Sequence, residues 1–463
     1  HSWLLARAQK SSPENNQNFA IPSHSEYAIL PEEKGLHLHH TYDLTALINL
    51  AGRINPKIHA DWEKARQAVL AVGMVEATSL PTLSATVTGG YQSINTPVST
   101  LSGTQGNLRT TLRGVNGLIS LQWLAFDFGK RHALTKMAKQ TAIAADILFN
   151  GSHQHLIAQV AQAYYVYAAA EEQEKYADAA LHNAQAIQAA VDARHAHGLN
   201  NVVVVAQTNQ SVAQAQFNLV KAQGQKHTDY QLLLNAVGVH TPLKINTAGV
   251  MQRPLPRLAE TPIQTMIQHA LARRPDIAAA YARMDASKEN IKAAQTSFLP
   301  KIFVASNLSW GTQDFYLGGL PGIGQQGSGD GILVGMTVPI FDAGLRDARL
   351  QQAKSQAAGA KNDFHSLQNL AATEIVTTRD SLQTALASYH AATALVEAAQ
   401  TTYDAALASY QKGTGTIDTA IGAENGLLTA RQAQVDAHTA ALLSALKLAF
   451  VLGKLSSTQA LPE

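Results

Sequence analysis

Four histidines raise the first chemical question. His37, His39 and His40 fall in one short window with His24 upstream, and neutral imidazoles at i and i+2 can chelate a cation. They stand, however, in a polar stretch with scattered proline and no sustained period, and no acid or cysteine completes a ligand set. No metal site is expected there. His153 and His155 share no helical face and read as surface residues. No Ser/His/Asp set stands out from the Ala/Gln-rich background. The glycines Gly322, Gly324, Gly327 and Gly329 lack a GxxxxGK[ST] or GxGxxG arrangement between strand and helix, so they read as a flexible hairpin loop. Cysteine is absent, which removes disulfides, thiolate metal sites and cysteine nucleophiles. Neither an enzyme nor a cofactor is expected.

Composition points elsewhere. The 463 residues carry a net charge of only +2, so no field for nucleic acid is implied. With 15% charged and 6% aromatic residues, the chain suits long helices packed closely through small side chains. No run of about 18 apolar residues offers a transmembrane helix. The sequence begins at His1 with no signal peptide, so if the protein is exported, its signal is expected to have been removed.

The chain is written twice. Asn55-Pro56 and Leu80-Pro81 return as Arg274-Pro275 and Leu299-Pro300, both 219 positions later. Phe126-Asp127-Phe128-Gly129, Gly198 and Gly238 return as Phe341-Asp342-Ala343-Gly344, Gly413 and Gly453, all at a shift of 215. Such a repeat has elements of fixed length and one free loop. The reading is an irregular tail over 1–40, a first repeat over 41–239, an equatorial linker over 240–260, a second repeat over 261–453 and a C-terminal tail over 454–463.

Within each repeat the period changes. Leu83, Ala85 and Val87 alternate with Ser84, Thr86 and Thr88, and Ile119, Leu121, Trp123 and Ala125 alternate with Ser120 and Gln122. In the second repeat Ile302, Val304 and Leu308, with Trp310 at the end, oppose Ala305, Asn307 and Ser309, and Ile332, Val334, Met336, Val338 and Ile340 alternate with Leu333, Gly335 and Thr337. Period two is a strand signal, so two hairpins are expected, with tip loops at roughly 92–116 and 311–330. Between Gly129 and Gly198, and again between Gly344 and Gly413, proline is absent. Continuous helix over such a stretch runs about 100 Å at ~1.5 Å per residue. Leu382, Leu386, Tyr389, Ala392, Val396, Ala399, Tyr403, Leu407 and Tyr410 recur every 3.5 residues on average, a coiled-coil seam. Each long helix is expected to reverse at its glycine and return over 201–237 or 416–452.

A helix of that length cannot bury itself in a compact domain, and four strands cannot close a barrel with a polar lumen. Oligomerisation about an axis answers both. The apolar strand faces then meet lipid, with Tyr91, Trp123 and Trp310 as interfacial aromatics.

These residues also carry a resemblance. Leu271-Ala272-Arg273-Arg274-Pro275-Asp276-Ile277-Ala278-Ala279-Ala280, with Ser297-Phe298-Leu299-Pro300-Lys301-Ile302, resembles the helix-to-strand signature of TolC-like outer-membrane efflux proteins. Val338-Pro339-Ile340-Phe341-Asp342-Ala343-Gly344 is similar to that family's last strand and turn. Tyr410-Gln411-Lys412-Gly413 and Ala449-Phe450-Val451-Leu452-Gly453 are similar to its helix tip and last helix. The resemblance covers about 41–453. It implies a membrane α+β fold: a homotrimer with a 12-stranded β-barrel, four strands per chain, continued by a coiled-coil α-barrel across the periplasm. It further implies an outer-membrane exit duct of a tripartite efflux pump that docks on a periplasmic adaptor and an inner-membrane transporter. A type I secretion duct and a non-pore coiled-coil scaffold or adaptor are the alternatives. Many relatives acylate an N-terminal cysteine; none is present in this sequence, which leaves a lipoprotein as one of the forms the resemblance implies.

The resemblance makes Gly198, Leu199, Gly413 and Thr414 the adaptor-docking tips. Relatives place acids a few residues past each tip glycine, forming carboxylate rings that select cations. Here Leu199-Asn200-Asn201-Val202-Val203-Val204-Val205 follows Gly198 without an acid, and Gly422 occupies the position where an acid is most usual. Asp418 is then the candidate for the ring, Glu424 the next acid, and Val202, Val203, Val204 and Val205 are expected to form a partly apolar constriction. Tyr410 matches a tyrosine that ties neighbouring helices shut, but its acidic partner would fall near Val203 or Val204, which favours the seam as its role.

Overall fold

The computed structural model describes residues 22–99, 101–318 and 320–455. The chain divides into two units at His39/His40. The described part of the first carries a single 3-10 turn, Ser25–Ala28.

The second unit opens with a short strand β1 (Thr41–Tyr42) and helix α1 (Leu44–Ile54), whose start is fixed by the Asp43 carboxylate accepting the Ala46 N–H at 2.8 Å. Helix α2 (Pro56–Ala77) follows, with Asn55 as its cap and Pro56 in the first turn, where a missing N–H costs nothing. Strands β2 (Thr82–Ser99) and β3 (Gln105–Phe126) follow, then α3 (Lys130–Ala196) and its return helix α4 (Val202–Val237). The linker places β4 (Lys244–Ile245) in parallel beside β1. The second repeat runs α5 (Ile263–Leu271), α6 (Pro275–Thr296), β5 (Lys301–Leu317), β6 (Ile323–Thr337), α7 (Leu345–Gln411) and α8 (Ile417–Val451). Helices α3 and α7 each contain 67 residues, about 100 Å of continuous helix.

The four long strands form one antiparallel sheet in the order β2-β3-β5-β6. They are longer than the alternation alone suggests. The segments 92–116 and 311–330, expected as loops, are mostly strand: β2 runs to Ser99, β3 starts at Gln105, and β5 and β6 are separated only by residues 318–322. Gly324, Gly327 and Gly329 therefore lie in β6, and only Gly322 stays in the turn. Polar and glycine positions on both faces erase the period-two signal where a hairpin rises beyond its apolar part. Strand β6 ends at Thr337, so Val338 and Ile340 lie past it.

The strand-to-helix turns are built identically in both repeats. Phe128 and Gly129 have φ of 55° and 100°, Ala343 and Gly344 have 55° and 88°. Two consecutive left-handed residues turn the chain sharply, and glycine supplies the second at no steric cost. Arg131 Nε donates to the Asp127 carboxylate at 3.0 Å and Arg346 Nε to Asp342 at 2.7 Å, so each turn is closed by the arginine four residues on.

In the helical part every seam residue from Leu382 to Tyr410 is buried or half-buried. The linker straps across the bundle through side chains. The Tyr164 hydroxyl donates to the Asn246 carbonyl at 2.6 Å, and the imidazole Nε2 of the buried His438 lies 3.1 Å from the Arg253 carbonyl oxygen. Among the described residues no helix is long and apolar enough to cross a membrane.

Candidate functional site

The helix tips are two copies of one motif. Gly198 and Gly413 have φ of 72° and 78°. The Leu199 N–H reaches back to the Arg194 carbonyl and the Thr414 N–H to that of Ser409, both at 2.9 Å, while each glycine N–H bonds three residues back. This satisfies the last carbonyls of α3 and α7 and reverses the chain. The return helices restart on side-chain caps, Asn201 accepting the Val204 N–H at 3.0 Å and Thr416 the Thr419 N–H at 3.3 Å.

Residues far apart in sequence join these tips. The Asn200 amide donates to the Tyr410 hydroxyl at 2.9 Å and to the Val191 carbonyl at 3.0 Å. Arg194 Nη1 donates to the Tyr410 carbonyl at 3.2 Å. One turn further along, Gln207 on α4 donates to the Asp418 carboxylate at 3.2 Å. Sequence reasoning passed over Arg194, Asn200 and Gln207, because their partners lie more than two hundred positions away and no local spacing announces them.

The structure sorts the tip candidates. Tyr410 is buried in a cluster with Ile187, Val191, Tyr403, Ile417 and Leu427, so it is a seam residue that also carries a cross-tip hydrogen bond. The four valines divide: Val204 and Val205 pack against that cluster, while Val202 and Val203 are exposed. Asp418, Leu199 and Thr414 are exposed. Glu424 requires a correction. It is only 2% exposed and lies on the same stripe of α8 as the buried Ala420 and Leu427, so it faces helix packing and not an open lumen. Burial pushes its carboxyl up to about 7, Arg431 opposing the rise, and its Oε1 has no hydrogen-bond partner.

The sheet separates its faces by register. Leu83, Ala85, Val87 and Tyr91 on β2 share a face with Trp123, Leu121, Ile119 and Val115 on β3, with Val304, Leu308 and Trp310 on β5, and with Met336, Val334 and Ile332 on β6. Tyr91, Trp123 and Trp310 are thus on one apolar face. Thr82, Ser84, Thr86, Thr88, Gln122, Ser120, Asn307 and Ser309 line the other, where Leu118, Leu124, Phe303 and Leu333 are apolar, as are Ile94, Leu112, Phe315, Leu317 and Ile323 nearer the hairpin tips. Gly117 lies under the Trp310 ring and Gly335 under that of Phe303, where a Cβ would collide with the ring.

The apolar band is oblique. Its upper end is Tyr91 on β2, Val115 on β3 opposite Gly89, and Trp310 on β5, level through Gly117 with Val87. On β6 it is Ile332, level through Ser306 and Leu121 with Leu83. The band slides toward the helical end from strand to strand, as a horizontal apolar belt does on strands tilted against a barrel axis. Large side chains in it, Leu83, Val87, Ile332 and Val334 among them, are about 70% or more exposed in the single chain.

A cavity of about 520 Å³ lies farther along the helices beside Lys57, His155, Arg274, Glu374 and Lys447. Arg274 is engaged there with Asp276 at 2.7 Å and Glu374 at 2.9 Å, and the Ser152 hydroxyl, also in its lining, donates to the Leu148 carbonyl at 3.2 Å. Tail residue His24 stacks on Tyr27, and His40 sits edge-on to Tyr42. Among the described residues no three His, Asp or Glu side chains are grouped to hold a metal.

Comparison with known proteins accords with this geometry. The family model described as outer membrane efflux protein matches residues 47–239 and 266–454, one match per repeat. The cation efflux system protein CusC of Escherichia coli O6:H1 strain CFT073 is 25% identical over 398 residues, covering 84% of this chain and 81% of that protein. The pyoverdine export outer membrane protein OpmQ of Pseudomonas aeruginosa is 24% identical over 416 residues, covering 89% and 85%. A crystal structure of CusC superposes with a TM-score of 0.72 at 21% identity, over 94% of this chain and 99% of that one. The match excludes the adaptor-like scaffold and leaves no role as an enzyme. The fold, the paired helix tips and the family model together establish that this chain belongs to the outer membrane efflux protein family and resides in the outer membrane.

Proposed function

We propose that three copies of this chain form the exit duct of a tripartite efflux pump, a passive conduit that opens at the helix tips when an adaptor docks. The observation that carries the reading is the oblique apolar band on a sheet whose edge strands β2 and β6 have no partner on their outer sides among the described residues. Open edges invite pairing. Joining β6 of one copy to β2 of the next removes every edge and gives twelve strands, enough to enclose a polar lumen. The exposed apolar side chains of the helices, such as Phe217 and Val220 on α4 and Leu395 on α7, are covered by the neighbouring copies. The band then meets outer-membrane lipid, and the tips reach toward the adaptor and the inner-membrane transporter.

At those tips Gly198, Leu199, Gly413 and Thr414 present the docking surface. Tyr410, held by Arg194 and Asn200, ties the two reversals of one chain together. Asp418, with Val202 and Val203, forms the narrow ring through which solutes enter. The pump partner selects the cargo, which for relatives includes cations and pyoverdine by their names.

Purified protein in detergent is expected to run as a heat-modifiable trimer and to give discrete conductance steps in planar bilayers. A monodisperse monomer in buffer without surfactant overturns the reading.

A further inference from the structure

The charges of the sheet are few, and two of the cationic ones are placed together. Arg109 and Arg113 lie on β3 four residues apart, on the same face as Trp123 and Val115, and both are exposed. They stand just past Val115, the upper end of the apolar band on that strand. From Trp123 to Arg113 is ten residues of β3, roughly 33 Å along the strand and about 23 Å in height for a ~45° tilt. That is the thickness of an outer-membrane apolar belt. With the helices in the periplasm, Arg113 therefore emerges at the outer-leaflet headgroup level, and Arg109 stands just beyond it.

Their neighbours fit the same level. Tyr91 faces Arg113 across the ladder, and Asn95 faces Arg109. The Arg109 Nε donates to the Ser93 hydroxyl at 3.1 Å, which uses one donor and leaves the terminal nitrogens. The Arg113 guanidinium carbon lies 5.2 Å from the Tyr316 ring centroid. Asp314 is the residue opposite Arg113 in register, yet its carboxylate turns toward Gly324, and no ion pair between them forms. Asp330, the other acid of this face, sits on β6 in the row of Ile119, well toward the helical end.

From this juxtaposition we infer that Arg109 and Arg113 form a binding site for the phosphate groups of an anionic lipid in the outer leaflet. This rests on the barrel orientation above, and it adds a specific headgroup contact to a belt otherwise held by apolar burial. Guanidinium groups hold phosphate oxygens through paired, charge-assisted hydrogen bonds. At a membrane surface they keep their stems along apolar surface and their heads in the polar layer.

The test uses purified trimer in detergent, offered diphosphoryl lipid A or the same lipid with both phosphates removed, with bound lipid counted by native mass spectrometry. Wild-type protein is expected to retain the phosphorylated lipid at least about tenfold better than the dephosphorylated one. The double variant Arg109→Gln/Arg113→Gln is expected to lose that preference, and Arg109→Lys/Arg113→Lys to keep part of it. All three proteins should remain trimeric with unchanged conductance, which separates this question from the channel reading. Equal retention of the two lipids by wild type, full preference in the Gln variant, or displacement of bound lipid by millimolar inorganic phosphate would each overturn the inference.

Discussion

Arg194 lies against Tyr410 from the neighbouring helix reversal, its guanidinium carbon 5.3 Å from the ring centroid. The stacking, the bond from Arg194 to the Tyr410 carbonyl and the bond from Asn200 to its hydroxyl make three links between tips that the chain itself separates by a whole repeat. Tyr410→Phe removes the hydroxyl acceptor and is expected to weaken the tip contact by about 1 kcal/mol. Arg194→Ala removes stacking and hydrogen bond together, for roughly 1–2 kcal/mol. Single-channel recording should show larger or more frequent openings for both. A double-mutant cycle on tip proteolysis should give less than additive effects, since the two residues act as one unit.

Asp418 stands at the first turn of α8, exposed apart from its bond to Gln207. If the carboxylate sets permeation, Asp418→Asn lowers cation preference in bilayer reversal-potential measurements, while Val202→Ser/Val203→Ser changes conductance and leaves selectivity alone. The reverse pattern would assign the constriction to the valines.

Glu424 links the tip to pH. Its carboxyl titrates near 7 in the folded chain against 4.5 for an ordinary glutamate, so between those values the folded state holds a proton that the unfolded state has released. Stability from this group is therefore fullest below about pH 4.5 and falls as pH rises through 7, levelling off above it. Glu424→Gln keeps a neutral side chain at every pH. It is expected to protect α8 from amide exchange at pH 8 more than wild type does, and to match wild type near pH 5.

Two left-handed glycines give a comparison of environments. At Gly198 an added Cβ meets nothing within 4 Å, whereas at Gly238, φ 92°, it would lie 2.9 Å from the Asn55 Cα. Gly198→Ala should cost only the left-handed strain, about 1–2 kcal/mol. Gly238→Ala adds a backbone clash and should cost visibly more, read as a larger drop in the thermal midpoint of the detergent-solubilised protein.

Arg274 shows how the repeats diverged. Both Asn55 and Arg274 bind the carbonyl near the end of the return helix beside them, Ala236 at 3.1 Å and Val451 at 3.3 Å. Only Arg274 also gathers two carboxylates, Asp276 and Glu374. Arg274→Ala removes the bonds to two carboxylates, each more than a third exposed and so open to water, and to the Val451 carbonyl, and is expected to destabilise by roughly 2–3 kcal/mol, whereas Asn55→Ala should cost nearer 1–2 kcal/mol. Denaturant unfolding of both variants checks the order.

The sequence by itself determined the elements whose signal is periodic. The 3.5-residue recurrence from Leu382 to Tyr410 settled α7 as a coiled coil, and the glycines at 198 and 413 marked the reversals of α3 and α7, because helix geometry acts on neighbours three and four residues apart. Alternation around Leu83 and Ile332 likewise assigned the apolar faces. It failed at 92–116 and 311–330, where a strand with polar or glycine residues on both faces looks the same as a loop. What only the tertiary structure decided depends on residues distant in the chain: the meeting of Arg194 with Tyr410, the withdrawal of Glu424 into helix packing, and the oblique slide of the apolar band from Tyr91 to Ile332. Each is set by how strands and helices register against one another, and register is a property of pairs of elements that no single stretch of sequence carries.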